Sequence, residues 1–443
     1  MFQNWSRIIQ LAIPSVVSFA FITLTGTFSL IILGHSGALV IAVVGVTNII
    51  IYNCFAIFSG MGHSLNYLVA QNFGEQRMKK AIERTYIALY LTLFVVIILG
   101  FVGLFASDVL LRVIGGEASK EIVIGESYLQ LRIWAMALGI VTFALHGFLR
   151  GIGDARTPMV LSLISNSIVI LLTYVLTYPE GLSISEILFR AGISFLIGEV
   201  IGVLGSLWVY FIKLHPIYET RARVLFKLDE AKLIFAESSK LGIQEFSISF
   251  SVLIFTIFVA RLGEAALAAN EIALNVMSLG FMPAFAFGAT ATILVGQEIG
   301  RGNYIAAKRV GIDTSIIAMI FIFIVGSLEF IFAGPISRIY SSDPAVFKLA
   351  AFLIMISAFL QVFDGWLVVI SGGLRGIGDT GFLLRTSFGL SWFVFVPLAY
   401  LSIFVWDLSS IGAWISLYIF LVIFAILVVV RYFRVDWTRI TVK

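Results

Sequence analysis

The sequence predicts an all-α polytopic membrane protein of twelve transmembrane helices in two pseudo-symmetric six-helix lobes. Three observations predict it: the composition, a series of long apolar runs, and an internal repeat. Of 443 residues, 60% are hydrophobic and 12% charged, and the mean hydropathy is +1.06. Soluble proteins run at roughly 45–50% apolar and about 25% charged. This chain could not cover its apolar surface in water, which excludes a soluble enzyme. A spanning helix needs about 20 largely apolar residues. At roughly 35 residues per helix and connection, the length allows about a dozen.

Taken in order, the apolar runs are 12–33, 38–70, 84–106, 122–148, 157–178, 188–213, 238–260, 265–295, 311–334, 346–372, 382–405 and 409–433. The first follows Arg7 directly and is too long for the core of a signal peptide, so no cleavage is expected. The second and eighth exceed what a bilayer demands and should tilt or project. Lysine and arginine set the direction. With the N-terminus inside, 22 of the 29 lie on cytoplasmic segments, 6 on the other side, and Arg132 inside a helix. This satisfies the positive-inside rule and puts both termini in the cytoplasm, with the chain in the plasma membrane (the inner one in a Gram-negative cell). The lobes then cover residues 1–213 and 241–443, joined by a cytoplasmic linker at 214–240. In that linker Arg221, Arg223, Asp229, Glu230 and Lys232 interleave with Val224, Leu225, Phe226, Leu228, Leu233 and Ile234. The pattern reads as an amphipathic helix at the inner headgroup surface that also tethers the halves.

Cysteine and histidine exclude further chemistry. Cys54 is the single cysteine, so no internal disulfide and no CxxC pair can form. His35, His63, His146 and His215 are far apart, with no pair at metal-ligand spacing. No catalytic constellation is present, and an enzyme is not expected. The net charge of +4 is a topology signal, so no nucleic-acid partner is expected either. A resident cofactor is likewise not expected.

The repeat is direct. Gly37-Ala38 answers to Gly263-Glu264 and Val69-Ala70-Gln71-Asn72-Phe73-Gly74 to Val295-Gly296-Gln297-Glu298-Ile299-Gly300, both at an offset of 226. Leu149-Arg150-Gly151-Ile152-Gly153-Asp154 answers to the identical Leu374-Arg375-Gly376-Ile377-Gly378-Asp379 at 225. Six helices per half is an even number, so the repeats are parallel, an arrangement found in secondary transporters. Within the Leu-Arg-Gly-Ile-Gly-Asp turn, the glycines end a helix with positive φ, the arginine can cap the last carbonyls, and the aspartate can cap the next helix. It follows a membrane helix rather than a strand, so it is not a phosphate loop.

Ala12-Ile13-Pro14, Gly34-His35-Ser36-Gly37, the paired Val-Ala-Gln and Val-Gly-Gln turns, Leu267-Ala268-Ala269, Phe281-Met282-Pro283 and the two Leu-Arg-Gly-Ile-Gly-Asp turns together resemble the multidrug and toxic compound extrusion (MATE) family, prokaryotic type. The resemblance runs through the whole chain in order. It implies two six-helix lobes around a central cleft, and export of organic, often cationic, compounds in exchange for Na⁺ or H⁺.

An ionisable group inside the bilayer is expensive and therefore a functional candidate. The candidates are Glu199, Glu245, Glu271, Glu329 and Asp364, with Arg132 as the lone cation. Asp364 lies ten residues before Leu374, about 15 Å from the inner end. Glu271 is roughly 9 Å deep from the outer side, with Asn275 one turn below it. Glu329 and Arg132 read as close to the outer ends, where snorkelling is cheap. Glu245 sits near the start of its helix, where the dipole favours a carboxylate. Glu199, between Gly198 and Gly202, could instead be a helix-packing hydrogen bond.

Asp364 matches an acid that one branch of the family carries on its tenth helix, which implies a cation site in the C-terminal lobe. The acid that this branch carries on the seventh helix is missing near Ser251-Val252, where Glu271 or Glu245 could substitute. The positions of the acids that other branches place on the first and fifth helices read Ser29 and Thr173. In the repeat Asp364 corresponds to Gly139 and Glu271 to Gly45, an asymmetry that favours function over scaffold. The expected coupling set is Asp364, Glu271, Asn275 and Glu245, with Asp364 and Glu271 as oxygen ligands for Na⁺ and Ser247, Ser249 or Ser251 nearby. Tyr52, Phe55, Met61, His63, Met136, Phe143, Met277, Met282, Phe285 and Phe287 are the expected cleft liners, offering π faces and soft side chains to flat cations.

The expected function is therefore a monomeric secondary antiporter working by alternating access. A flippase for lipid-linked saccharides is the alternative, but its polyanionic substrate calls for several intramembrane cations where this chain has one. A channel needs a ring of like groups or a filter that the sequence lacks.

Overall fold

The structure, a computed structural model, describes residues 2–115, 119–179 and 181–443. Twelve long helices account for most of the chain, and among the described residues there is no strand. They are α1 (Phe2–Gly34), α2 (Ala38–Gly74), α3 (Met78–Gly115), α4 (Glu126–Gly151), α5 (Arg156–Thr177), α6 (Ile184–Trp208), α7 (Leu228–Ala260), α8 (Glu264–Gly300), α9 (Tyr304–Tyr340), α10 (Pro344–Gly376), α11 (Thr380–Val405) and α12 (Ser409–Arg434). All twelve are long and apolar enough to span a membrane.

Most of the helices outrun their apolar stretches. The run 311–334 becomes a helix of 37 residues and the run 84–106 one of 38, as long as α2 and α8 or longer. Hydropathy reads only the apolar portion, whereas the backbone goes on satisfying its own hydrogen bonds until a cap stops it. Asn303 accepts the Ala306 amide at 3.2 Å to start α9, and Asp343, before Pro344, accepts the Ala345 amide at 2.9 Å to start α10. Ser183 and Glu186 form a reciprocal capping box at the start of α6.

Backbone geometry repeats with the sequence. Left-handed residues recur in register: Gly37 and Gly263 at φ 117° and 110°, Gln76 and Gly302 at 59° and 71°, and Gly153 and Gly378 at 95° and 80°. Both Leu-Arg-Gly-Ile-Gly-Asp turns close the same way. The Gly153 amide donates to Arg150 O at 2.8 Å and the Asp154 amide to Leu149 O at 2.9 Å, as Gly378 does to Arg375 and Asp379 to Leu374 at the same distances. This pair of bonds is the Schellman closure, and it needs φ > 0 at the second glycine. The arginines do not cap carbonyls as the sequence suggested. Arg150 lies over the Phe19 ring at 4.7 Å, and Arg375 donates to Glu245 at 3.0 Å. The Schellman bonds already satisfy those carbonyls, so the guanidinium groups are available elsewhere. Asp154 does cap, taking the Thr157 amide at 2.9 Å, while Asp379 takes Arg431 at 2.7 Å.

Helix crossings repeat too. Gly147 on α4 meets the Gly62 backbone of α2, and Gly372 on α10 meets the Gly288 backbone of α8, with no room for a Cβ at either. Small residues let the backbones approach, the usual solution where lipid supplies no hydrophobic drive.

The chain forms two compact units, one of residues 1–16, 74–76 and 243–443, the other of residues 17–73 and 77–242. In the first, Arg7 pairs with Glu298 at 3.1 Å and reaches Gln297 at 2.5 Å, and the Asn4 amide donates to Asp313 at 3.3 Å. In the second, the start of α7 is held by charge. Glu230 takes Lys80 at 2.6 Å and Arg84 at 3.0 Å; Glu237, 2% exposed, accepts the Tyr67 hydroxyl at 2.7 Å and pairs with Lys240 at 2.8 Å.

The stretch 214–240 is therefore not one surface helix. After a single turn at His215–Tyr218, residues 219–227 are non-helical and Leu228 opens α7. Tyr86 donates to Thr220 O at 2.9 Å and Tyr90 to Val224 O at 3.0 Å, which supplies partners for two carbonyls of the extended segment. Glu230, read as headgroup-facing, turns toward Lys80 and Arg84 of α3 instead.

Candidate functional site

Ser357, Gln361 and Asp364 follow one another on α10 at spacings of four and three, which puts them on one helix face. All three are buried, Asp364 at 7% exposure. Gln361 donates through Nε2 to Glu329 Oε2 of α9 at 2.5 Å, and Gly280 of α8 leaves the space both side chains occupy. Tyr418 of α12 lies within electrostatic reach of Asp364. Among the described residues, the Asp364 carboxylate has no hydrogen-bond or ion-pair partner and Gln361 Oε1 is buried without one, while the Tyr418 hydroxyl faces Ser357 Oγ. Asp364 thus has oxygen-bearing neighbours in Ser357, Gln361 and Tyr418, and both it and Gln361 Oε1 keep hydrogen-bonding capacity unused. A lone carboxylate in such a place is costly unless a cation or proton joins it, and oxygen donors suit a hard cation.

The other expected coupling residues are placed differently. Glu271 and Asn275 share an exposed face of α8, where Asn275 accepts the Tyr340 hydroxyl at 3.0 Å. Among the described residues, Glu271 interacts with Asn270, and neither Glu271 nor Asn275 bonds to Asp364. Glu245 is engaged by Arg375 at 3.0 Å. Of the serines named beside them, Ser247 accepts the Trp392 indole at 2.9 Å and Ser251 bonds back to Ile248 O at 2.8 Å. Among the described residues, no three His, Cys, Asp or Glu side chains converge as a metal site.

Sequence reasoning misplaced Glu329. It is 8% exposed and bonded to Gln361, not snorkelling. The apolar run ends at 334, but α9 continues to Tyr340, so Glu329 lies about 16 Å from the helix end rather than a turn or so. Ser357 and Tyr418 were also missed. The spacing of Ser357 from Asp364 was readable; the approach of Tyr418 is a packing fact.

Of the expected cleft liners, Phe55 and His63 of α2 both meet Phe143 of α4 edge-on, with centroids 5.6 and 5.2 Å apart. Tyr52, on the same helix, is 67% exposed. Met61 and Met136 are instead buried in the hydrophobic cores of that unit, Met61 accepting Ser238 at 3.5 Å. On α8, Met277, Met282 and Phe285 are half-buried, whereas Phe287 is buried against Phe321 at 6.0 Å.

Comparison with known proteins agrees with the repeat and the helix order. The sequence model of the MatE family matches residues 14–175 and 241–401, one stretch in each half. A probable multidrug resistance protein NorM of Thermotoga maritima is 26% identical over 413 residues, spanning 93% of this chain and 88% of that protein. A Bacillus cereus protein of the same description is 26% identical over 415 residues, spanning 91% and 89%. Among solved structures, a MATE protein in the straight conformation superposes with a TM-score of 0.87 at 20% identity, covering 97% of this chain and 95% of that one. A MOP superfamily transporter from Pyrococcus furiosus gives 0.84 at 20%, with the same coverage. These two likenesses concern the fold alone. The family match covers most of both halves, and the chain belongs to the MatE family.

Proposed function

We propose that the protein is a secondary antiporter that exports organic, mainly cationic, compounds across the plasma membrane in exchange for Na⁺ or H⁺, by alternating access, with both termini in the cytoplasm. Membership of the MatE family and the multidrug-resistance description of its relatives support the transport class. One observation carries the coupling: Asp364 is buried with no hydrogen-bond or ion-pair partner among the described residues, on one helix face with Ser357 and Gln361 and within reach of Tyr418. A coupling cation, as cargo, would take those oxygens. Its arrival neutralises the carboxylate, and its departure restores a negative site that favours a cationic substrate. Glu329 holds Gln361 in position for this role. Glu271 and Asn275, on the open face of α8, would meet the cation on its way in or out. Glu245 is assigned no coupling role, because Arg375 occupies it. The Phe55–Phe143–His63 group offers ring faces and edges to a flat substrate.

The test is reconstitution in liposomes and measurement of ethidium efflux at fixed pH, imposing a Na⁺ gradient and a proton gradient in turn. Efflux driven by at least one gradient is expected. Absence of efflux under both, with lipid-linked saccharide flipping in parallel vesicles, would replace this reading with that of a flippase.

A further inference from the structure

The unit that lacks Asp364 carries a carboxylate of its own at the equivalent place. In the repeat, Asp364 of α10 corresponds to Gly139 of α4, 225 residues earlier. Glu199, midway along α6, lies flat against that glycine: a Cβ at Gly139 would be 3.4 Å from its Oε2 and 3.7 Å from its Oε1. The repeat counterpart of Glu199 is Phe424 of α12. Each half thus places one acid at the same level of the same helix pair, borne by opposite members of that pair.

The groups around Glu199 leave it unpaired. Among the described residues it has neither a hydrogen bond nor an ion pair. Among the described residues, Arg132 of α4 is the charged group that acts on it. That guanidinium is engaged elsewhere, donating to the Tyr128 hydroxyl at 2.8 Å and lying 3.8 Å from the Phe195 ring centroid. From α5, Ser165 and Val169 pack against Gly198, and neither ionises. The turn Val123–Gly125, at the start of α4, carries no ionisable side chain.

From Glu199 the seam between α4 and α6 continues as polar residues toward Arg150. Thr142 faces Gly202, its buried Oγ1 without a partner. One turn further, Ser206 Oγ lies 3.3 Å from His146 Nε2 and donates to Gly202 O at 2.8 Å. Arg150 follows on the same face of α4.

We infer that Glu199 is a second proton-binding carboxylate, which takes up and releases one proton as the protein works. A proton suits the site better than a metal ion. There is a single carboxylate, the side chains that follow it along the seam offer the hydroxyls of Thr142 and Ser206, and a guanidinium stands nearby. The inference rests on the antiport reading above for its purpose, but not for its test.

The test is infrared difference spectroscopy of the full chain in phosphatidylcholine nanodiscs, stepping between acid and alkaline buffer, with proton uptake counted over the same step. The wild type and Asp364→Asn should both show a protonated-carboxyl band belonging to Glu199. Glu199→Gln should lose that component and take up one proton fewer per molecule, while Glu199→Asp should keep the band at a shifted frequency. If Glu199→Gln does not fold, the shift in Glu199→Asp alone decides the matter. An unchanged band and proton count in either variant overturns the inference. Because neither readout needs transport, a failure of ethidium efflux in the wild type would defeat the proposed function and leave this result standing.

Discussion

Tyr67→Phe combined with Glu237→Gln probes how α7 is anchored. Tyr67 is fully buried on α2 and donates to Glu237 at 2.7 Å; Glu237 is 2% exposed and also pairs with Lys240 at 2.8 Å. A hydrogen bond to a charged group contributes about 1.5–3 kcal/mol, roughly 10- to 150-fold in the folding equilibrium. Tyr67→Phe removes the donor with little change of shape. Glu237→Gln removes the charge and keeps the acceptor. Residues in one network should couple, whereas independent sites add to within about 0.5 kcal/mol. Equilibrium unfolding of the wild type, both single variants and the double variant in mixed micelles gives the coupling energy. A value above about 1 kcal/mol is expected, since the neutral amide still accepts weakly in one single variant. Strict additivity would refute the claim that this bond holds the first turns of α7.

Gly153→Ala and Gly378→Ala should each lower stability by about 1–2 kcal/mol, because an L side chain is strained at φ 95° and 80°; thermal unfolding of each variant checks this. Glu245→Gln should cost about 1.5–3 kcal/mol by leaving Arg375 without its 3.0 Å ion pair, measured by the same unfolding assay. Gln361→Leu should orphan Glu329 and reduce ion-driven ethidium efflux in liposomes more than Gln361→Glu, which keeps a polar group there. Lys227→Ala should leave stability within about 1 kcal/mol of wild type, because its 3.0 Å pair with Glu83 is more than half exposed on the lysine side.

The spans were legible because bilayer hydrocarbon demands apolar side chains along every exposed turn, and the repeat because its turns need glycine at fixed places. Helix ends were less so. The polar turns at Tyr304 and Tyr340 are still helix, and hydropathy is blind to them. The start of α7 was misread for a related reason. Its Glu230 looks headgroup-facing in sequence, and only Lys80 and Arg84 on another helix reveal where it points. Asp364 stood out as a lone acid in an apolar run. Its hydroxyl neighbours did not, because most such hydroxyls in these helices bond back to their own backbone, as Thr290 does to Ala286 O at 2.9 Å. The relation of Glu199 to Gly139 was hidden for the same reason that the repeat is informative. An offset pairs equivalent positions, but which helix faces Gly139 is decided by packing.

Coupling at Asp364 is tested most directly by reconstituting Asp364→Asn beside the wild type and measuring substrate efflux together with the flux of the driving ion. The account predicts normal folding, retained ethidium binding, and gradient-driven efflux and ion flux that both fall to the level of protein-free vesicles. Wild-type efflux with an unchanged ratio of ions to substrate would contradict it.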